Sequence, residues 1–179
     1  MRIVTIEPSA DSFIAEAKRL EEGVLYYEHS HRIANQFWAG VSNTLGGATA
    51  LLSAAAAGAN IPKATNHALA IALSVATAVL AAGLTFFRPA ERAANHSAAA
   101  TEFNVLRGNL RRYYRLRVPA DAERNLYRDL EALVGKRDQL VKAGPQYSQR
   151  TFRRARREIL SGIFVYTIDE DQSGTGTSA

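Results

Sequence analysis

The sequence predicts an all-α protein built around a two-helix transmembrane hairpin. Two uncharged stretches of about twenty residues carry this prediction, GVSNTLGGATALLSAAAAGA and ALAIALSVATAVLAAGLTFF. At about 1.5 Å per residue, each helix would reach about 30 Å, the thickness of the hydrocarbon core of a bilayer. Outside these stretches apolar residues recur every three or four positions, which is typical of helices. No segment requires a β-strand, although the short run IFVYTI is ambiguous.

The first helix is predicted to run without interruption from about residue 12 to about residue 58. Start signals precede it in Pro8 and in the cluster of Ser9, Asp11 and Ser12. Its cytoplasmic part, 12–37, carries apolar residues in alternating steps of four and three, a heptad seam that predicts an assembly surface between copies of the chain. The predicted seam consists of Phe13, Ala17, Leu20, Val24, Tyr27, His31, Ala34 and Trp38.

The two predicted spans, 38–59 and 68–87, differ in composition. The second carries Leu, Ile, Val and Phe along its length, whereas the first relies on Ala and Gly, which add little insertion free energy. An Ala-rich hairpin buried inside a soluble helical bundle is therefore the alternative. The small residues of the first span, Gly40, Gly46, Gly47, Ala50, Ala54 and Gly58, indicate close helix packing.

Polar positions within the spans permit three interpretations. They could line a narrow pore, hydrogen-bond between helices, or bond the backbone of their own helix. These positions are Ser42, Asn43, Thr44, Ser53, Ser74 and Thr77. Because two helices cannot enclose a channel, pore lining would require self-association, with Asn43 nearest the axis.

Three further helices are predicted after the spans. A helix over 90–117, kinked at its start by Pro89, carries the apolar face Phe103, Leu106, Leu110 and Tyr113. Asp121 is the predicted N-cap of a helix over 121–143 that ends before Gly144-Pro145. A last helix covers 148–163, with Phe152, Ala155, Ile159 and Ile163 on its apolar side. Residues 1–168 then form one domain, and 169–179 form a disordered tail.

The charges predict the orientation of the hairpin in the membrane. Basic residues flank both spans, whereas the connecting loop carries only Lys63, so the positive-inside rule puts both termini in the cytoplasm. Phe37, Trp38, Phe86 and Phe87 lie where aromatic residues anchor at headgroup level. The net charge of +5 predicts an anionic neighbour, either lipid headgroups or nucleic acid.

A run of arginines near the C-terminus has three interpretations. It forms a solvated basic helix face, contacts the anionic leaflet, or binds a phosphate-bearing signal. The run comprises Arg150, Arg153, Arg154, Arg156 and Arg157. Nucleic-acid binding is not favoured, because Phe152 is the only interleaved aromatic residue.

No catalytic signature is present, and the sequence predicts no enzyme, cofactor or metal site. A P-loop, HExxH and paired catalytic carboxylates are all missing from the sequence, and the absence of cysteine excludes a thiol nucleophile or a disulfide framework. His29 and His31, beside Glu28, fall on different helix faces, which argues against joint metal binding. His31 is expected to be a packed or interfacial residue, and His96 an isolated polar site.

The junctions between the helices and the spans resemble a known family. YYEHSHRIANQFW leads into the first span, and FFRPAERAANHSAAATEFNVLRGNLRRYY follows the second. This arrangement, over 11–168, is similar to the SLATT domain, a two-transmembrane effector domain of bacterial conflict systems. The resemblance implies an antiphage effector of the bacterial inner membrane that permeabilises the bilayer as a homo-oligomer.

By the same resemblance, a separately encoded partner would synthesise or sense a nucleotide signal. A membrane-anchored interaction module without pore activity is the alternative function.

Overall fold

The computed structural model describes residues 9–59, 67–119 and 123–162, and all regular structure within these ranges is helical. The all-α prediction is confirmed to that extent. The helices are α1 (Ala10–Ala59), α2 (His67–Phe87), α3 (Pro89–Arg112), a π-helical segment (Tyr113–Arg117), α4 (Glu123–Ala143) and α5 (Gln149–Leu160). The loop around Lys63, the N-cap Asp121, Ile163, the run IFVYTI and the tail 169–179 lie outside the described residues.

The chain divides into two compact units. The terminal unit comprises the described residues up to Ser30 and from Ala100 onward, and the central unit is His31–Ala99.

Helix α1 is the single long helix that the sequence predicts, with 50 residues. The backbone N–H of Ser12 donates to the carbonyl oxygen of Ser9 at 2.9 Å, and the two hydroxyl groups lie 3.1 Å apart. Asp11 places a negative charge in the first turn, where the helix dipole favours it. The predicted serine and aspartate start signal is therefore confirmed.

The helical conformation is interrupted at Arg88, between α2 and α3. Arg88 adopts φ 45°, a left-handed conformation that is uncommon for a residue with a side chain. The residue before a proline is disfavoured in the right-handed helical region, and Pro89 is well placed in the first turn of α3. The predicted disruption at Pro89 is thus observed as the end of one helix and the start of the next.

The end of α3 winds into a π-helical segment, which the sequence did not predict. The N–H of Val118 donates to the carbonyl oxygen of Tyr113 at 3.1 Å, five residues back. The buried Tyr113 hydroxyl donates to the carbonyl oxygen of Leu126 at 2.8 Å, which ties this turn to α4. A tertiary contact therefore accompanies the change in helical winding.

The ends of α4 and α5 follow local sequence signals. Helix α4 ends at Ala143, immediately before the predicted Gly144-Pro145 stop, and Gly144 N–H donates to the carbonyl oxygen of Leu140 at 2.8 Å. Helix α5 begins after Ser148, whose hydroxyl accepts from the N–H of Thr151 at 3.2 Å. Both predicted boundaries are confirmed.

The core of the terminal unit joins α1 to α3, the π-helical segment and α4. Its buried apolar side chains form two clusters. The first contains Phe13, Ala17, Tyr113, Val118 and Leu126, and the second contains Leu20, Val24, Phe103, Leu106 and Leu110. Tyr27 stacks on Phe103 with ring centroids 5.3 Å apart. The predicted apolar face of α3 is thus the face that meets α1.

This core corrects the predicted assembly seam. Phe13, Leu20 and Val24 are at most 6% exposed, because they pack inside their own chain. Tyr27 is half-buried on Phe103, and in the central unit His31 is buried and Trp38 half-buried. A heptad spacing serves intramolecular and intermolecular packing equally well, and here the residues that produce it are already used within one copy.

Candidate functional site

Helix α2 is the segment best suited to a lipid environment. Among the described residues, one helical stretch, His67–Arg117, is long and apolar enough to cross a membrane. Its most apolar 18 residues have a mean hydropathy of 2.2, and 6% of them are buried inside the protein. Ile71, Val75 and Val79 are 59–65% exposed, and Phe86 is 81% exposed. An uncharged helix of 21 residues therefore presents most of its apolar surface outward.

The first predicted span is less apolar than α2. Residues 38–59 belong to α1, which is not among the helices apolar enough to span a membrane within the described residues. Ser42, Asn43 and Thr44 lower the hydropathy of a stretch that otherwise consists mainly of Ala and Gly. The described residues thus contain one apolar helix of membrane-spanning length, and the second span of the hairpin stays a prediction.

Two of the polar side chains in the spans bond the backbone of their own helix, and the others differ in exposure. The Ser53 hydroxyl donates to the carbonyl oxygen of Thr49 at 2.8 Å, and the Thr77 hydroxyl donates to that of Leu73 at 2.9 Å. These two side chains therefore bond their own helix, one of the predicted alternatives. Ser42 is half-buried, whereas Asn43, Thr44 and Ser74 are exposed.

The glycines of the first stretch do not mark close helix packing within the chain. A Cβ atom added at Gly40, Gly46, Gly47 or Gly58 would meet nothing within 4 Å beyond its own helix backbone. Ala50 and Ala54 are also exposed. The surface at these glycines is consequently open in the single chain, and the close helix packing that the sequence predicts is not made there within one copy.

A buried histidine pair lies between α1 and α3 in the central unit. The Nδ1 atoms of His31 and His96 are 3.0 Å apart, and each residue is 3% exposed. A hydrogen bond between these atoms requires one nitrogen to donate and the other to accept, so both rings cannot be protonated on this edge. His96 is therefore not the isolated polar site that the sequence suggested.

The surroundings of the pair favour neutral imidazoles. Burial lowers the pKa of His31 to about 4, and the nearby His96 contributes further. Burial, followed by the charge of Arg92, also lowers the pKa of His96. The Arg92 guanidinium lies 4.8 Å from the centroid of the Trp38 ring, a cation–π contact beside the start of the first stretch.

Ion pairs connect α1 to α3 in the terminal unit. Arg107 Nη1 lies 2.9 Å from Glu28 Oε2, and both side chains are largely buried. About two turns earlier in α1, Glu21 accepts from Arg111 at 2.8 Å and from the Tyr114 hydroxyl at 2.9 Å. These contacts pair carboxylates of α1 with arginines of α3 beside the apolar core.

Helix α5 presents the predicted basic run on the surface. Arg150, Arg153, Arg154, Arg156 and Arg157 are all exposed. Glu158 accepts from Arg154 Nε at 2.7 Å and lies 2.7 Å from His29 Nε2. The hydrogen bond from Arg154, followed by that from His29, lowers the pKa of the Glu158 carboxyl.

A solvent-open cavity of about 450 Å³ lies in the terminal unit, where Arg117 and Asp129 form an ion pair at 2.7 Å. It is lined by Asn109, Arg112, Tyr113, Leu116, Arg117, Asp129, Ala132 and Leu133. In the described ranges no group of three or more His, Asp or Glu side chains is placed to hold a metal ion. His29 and His31 instead contact different partners, Glu158 and His96.

Comparison with protein family models, curated proteins and solved structures found no match to this chain.

We expect the histidine pair to make the stability of the protein depend on pH. In the folded chain His31 takes up a proton only near pH 4, whereas in the unfolded chain it does so near 6.5. The stabilisation is therefore complete above pH 6.5 and is lost as the pH falls toward 4, by up to about 3 kcal/mol. Chemical unfolding in detergent at several pH values measures this loss.

Carboxylates also titrate in this window, so two variants are compared with the parent. His31→Phe should flatten the loss, whereas His67→Asn, which replaces an exposed histidine, should not. Equal slopes for the parent and His31→Phe would exclude His31 as the cause.

Proposed function

We propose that this chain is a multi-pass protein of the bacterial inner membrane that acts as a pore-forming or membrane-disrupting effector. The outward apolar surface of α2 carries the membrane part of this proposal, because only 6% of its most apolar window is buried. A helix in the core of a soluble bundle would be mostly covered by its neighbours. Burying such a surface in lipid instead of water is favoured by about 25 cal/mol per Å².

The first stretch, 38–59, is the proposed partner of α2 in a transmembrane hairpin. Its hydropathy alone is marginal, and insertion would depend on pairing with α2 and with other copies. The open surface at Gly40, Gly46, Gly47 and Gly58 supports pairing between copies, because small residues allow helix backbones to approach closely in lipid. Self-association through this surface would replace the corrected seam on the cytoplasmic part of α1.

The orientation has both termini in the cytoplasm and Lys63 outside. Arg92 beside Trp38 supports a cytoplasmic boundary there, since tryptophan and basic side chains favour the headgroup region. The exposed Phe37, Phe86 and Phe87 would lie at the same level.

The effector role rests on the resemblance to the SLATT domain. On that basis a separately encoded partner would synthesise or sense a nucleotide, and its signal would open or assemble the membrane helices. Membrane lipids and other copies of the chain would be the direct partners.

A membrane-anchored interaction module is the second candidate. Val105, Leu116 and Tyr127 in the terminal unit are 53–68% exposed and are therefore available to contact a protein partner. This function would require no conduction through the bilayer.

Reporter fusions at residue 63 and at the C-terminus test the orientation. A periplasmic reporter should be active only at residue 63, and a cytoplasmic reporter only at the C-terminus. Cytoplasmic activity at both positions would contradict the hairpin.

The pore proposal predicts that Asn43→Leu removes conduction while preserving insertion. Asn43 is exposed in the single chain, and in an assembly it would supply polar lining that leucine cannot provide. Membrane potential is followed with a voltage-sensitive dye after induced expression with the activating partner. Asn43→Leu should leave cells polarised, whereas the control Ser53→Ala should still depolarise them, because the Ser53 hydroxyl already bonds its own helix.

Depolarisation by Asn43→Leu equal to that of the parent would exclude Asn43 as pore lining. Absence of depolarisation by the parent would favour the interaction module.

A further inference from the structure

Helix α5 packs against α1 along one side. Ala155 is completely buried, and the rings of Phe152 and Tyr26 have centroids 6.2 Å apart. The Oε2 atom of Glu158 lies 2.7 Å from Nε2 of His29, whose side chain is 11% exposed. These contacts fix which side of α5 faces the terminal unit.

The opposite side of α5 is the arginine face. At 100° per residue the five arginines fall within one sector of about 160°, centred away from Ala155. This face consists of Arg150, Arg153, Arg154, Arg156 and Arg157, all exposed. Glu158 is the only acidic residue in the helix, and it pairs with Arg154 near the edge of the sector.

We propose that the arginine face binds the phosphate groups of anionic lipids in the membrane that the chain spans. This inference rests on the proposed membrane function and assigns a lipid contact to the part of the chain outside the spans. Guanidinium groups suit phosphate oxygens because they donate two parallel hydrogen bonds, and an anionic leaflet attracts clustered basic residues near its surface.

Two further features favour a lipid surface. Leu160 lies in the same sector and is 68% exposed, so the face combines positive charge with an apolar side chain, as interfacial helices do. His29, which α5 contacts, precedes the predicted start of the first span by about nine residues in the sequence of α1.

Nucleic acid fits the arginine face less well. Binding of single strands uses exposed aromatic rings as stacking platforms between basic residues. Phe152, the only aromatic residue of α5, is 39% exposed but lies on the other side of the helix, where its ring centroid is 6.2 Å from that of Tyr26. The arginine face itself carries no aromatic ring, which favours headgroup phosphates.

A fluorescent label at one introduced cysteine tests the proposal in the full-length protein. The chain has no native cysteine, so Leu160→Cys carries a single bimane label in the arginine face without removing an arginine. The protein is reconstituted in phosphatidylcholine vesicles with or without phosphatidylglycerol, and a lipid with a nitroxide headgroup quenches the label. Quenching should be several-fold larger with phosphatidylglycerol.

The dependence on charge is tested in the same sample. About 1 M salt, where the Debye length falls to about 3 Å, should reduce quenching to the phosphatidylcholine level. Combined Arg153→Gln, Arg156→Gln and Arg157→Gln should do the same, and the corresponding lysine substitutions should restore part of it. A label at Gln139→Cys, an exposed site on α4, should show no dependence on phosphatidylglycerol.

A label at Val79→Cys in α2 distinguishes failure of the proposed lipid contact from failure of the proposed membrane function. Quenching of this label by a nitroxide on the acyl chain, with equal quenching of the Leu160→Cys label in both lipids, would overturn the lipid contact and leave the proposed function in place. Loss of the Val79→Cys quenching would overturn both. A response of the Leu160→Cys label to inorganic pyrophosphate, without an effect of phosphatidylglycerol, would point to a soluble phosphate ligand and overturn the lipid proposal.

Discussion

The Val79→Arg variant is expected to lose stable membrane insertion, whereas Val79→Leu should retain it. Val79 lies near the middle of α2 and is 65% exposed, so its side chain would face lipid. Arginine at the centre of a membrane helix costs about 2.5–3.5 kcal/mol of insertion free energy on the translocon scale, and the flanking stretch is too weakly apolar to compensate. Each 1.4 kcal/mol changes the ratio of inserted to non-inserted protein about tenfold, so the effect is large.

Extraction of isolated membranes with alkali measures the inserted fraction. The parent and Val79→Leu should remain in the pellet, and Val79→Arg should appear in the supernatant or be degraded. Leu116→Arg is the matched control, because Leu116 is exposed to a similar extent in the terminal unit. Retention of Val79→Arg at the level of Leu116→Arg would show that α2 is not a lipid-facing span.

Helix positions were well predicted because their signals are local. The serine cluster around Ser9, the Gly144-Pro145 stop and the Ser148 cap each act on the nearest turn of backbone. The long α1 also follows from an apolar spacing of three and four residues that continues, without a proline, between residues 12 and 58. Such features depend on the chain within a few residues, which a single sequence contains in full.

The partners of each helix face were less well predicted. The spacing from Phe13 to Val24 correctly identified a buried face of α1, but it could not distinguish the chain's own α3 and α4 from a second copy. The chain's own helices cover this face first, because they are covalently attached and their effective concentration is high. The heptad spacing therefore does not by itself identify an assembly surface, and self-association of the chain stays a prediction.

The histidine pair and the π-helical segment were missed for a related reason. His96 lies three residues after the buried Ala93 and seven before Phe103, so the apolar spacing of α3 extends upstream through it. That periodicity was the available signal for a buried His96. No local pattern marks the change of winding at Tyr113, which accompanies a hydrogen bond to Leu126 in another helix.

The Arg107→Met variant is expected to destabilise the terminal unit by about 3–5 kcal/mol. Glu28 and Arg107 are 4% and 13% exposed at the side chain, and their charged atoms lie 2.9 Å apart. Removing the guanidinium takes away the countercharge that lies 2.9 Å from a buried carboxylate, and the protein interior stabilises a charge much less than water does. Chemical unfolding followed by circular dichroism in mild detergent gives the free energy of unfolding.

A surface ion pair provides the matched control. Lys136 and Glu102 lie 3.4 Å apart with both side chains at least half exposed, so Lys136→Met should cost less than about 1 kcal/mol. Adding Glu28→Gln to Arg107→Met should recover most of the lost stability, because the uncompensated charge is then removed.

The coupling energy from the resulting double-mutant cycle separates the pair from general packing effects. If Arg107→Met costs no more than Lys136→Met, the pair contributes little to folding. The contact between α1 and α3 would then depend on Phe103, Leu106 and Leu110.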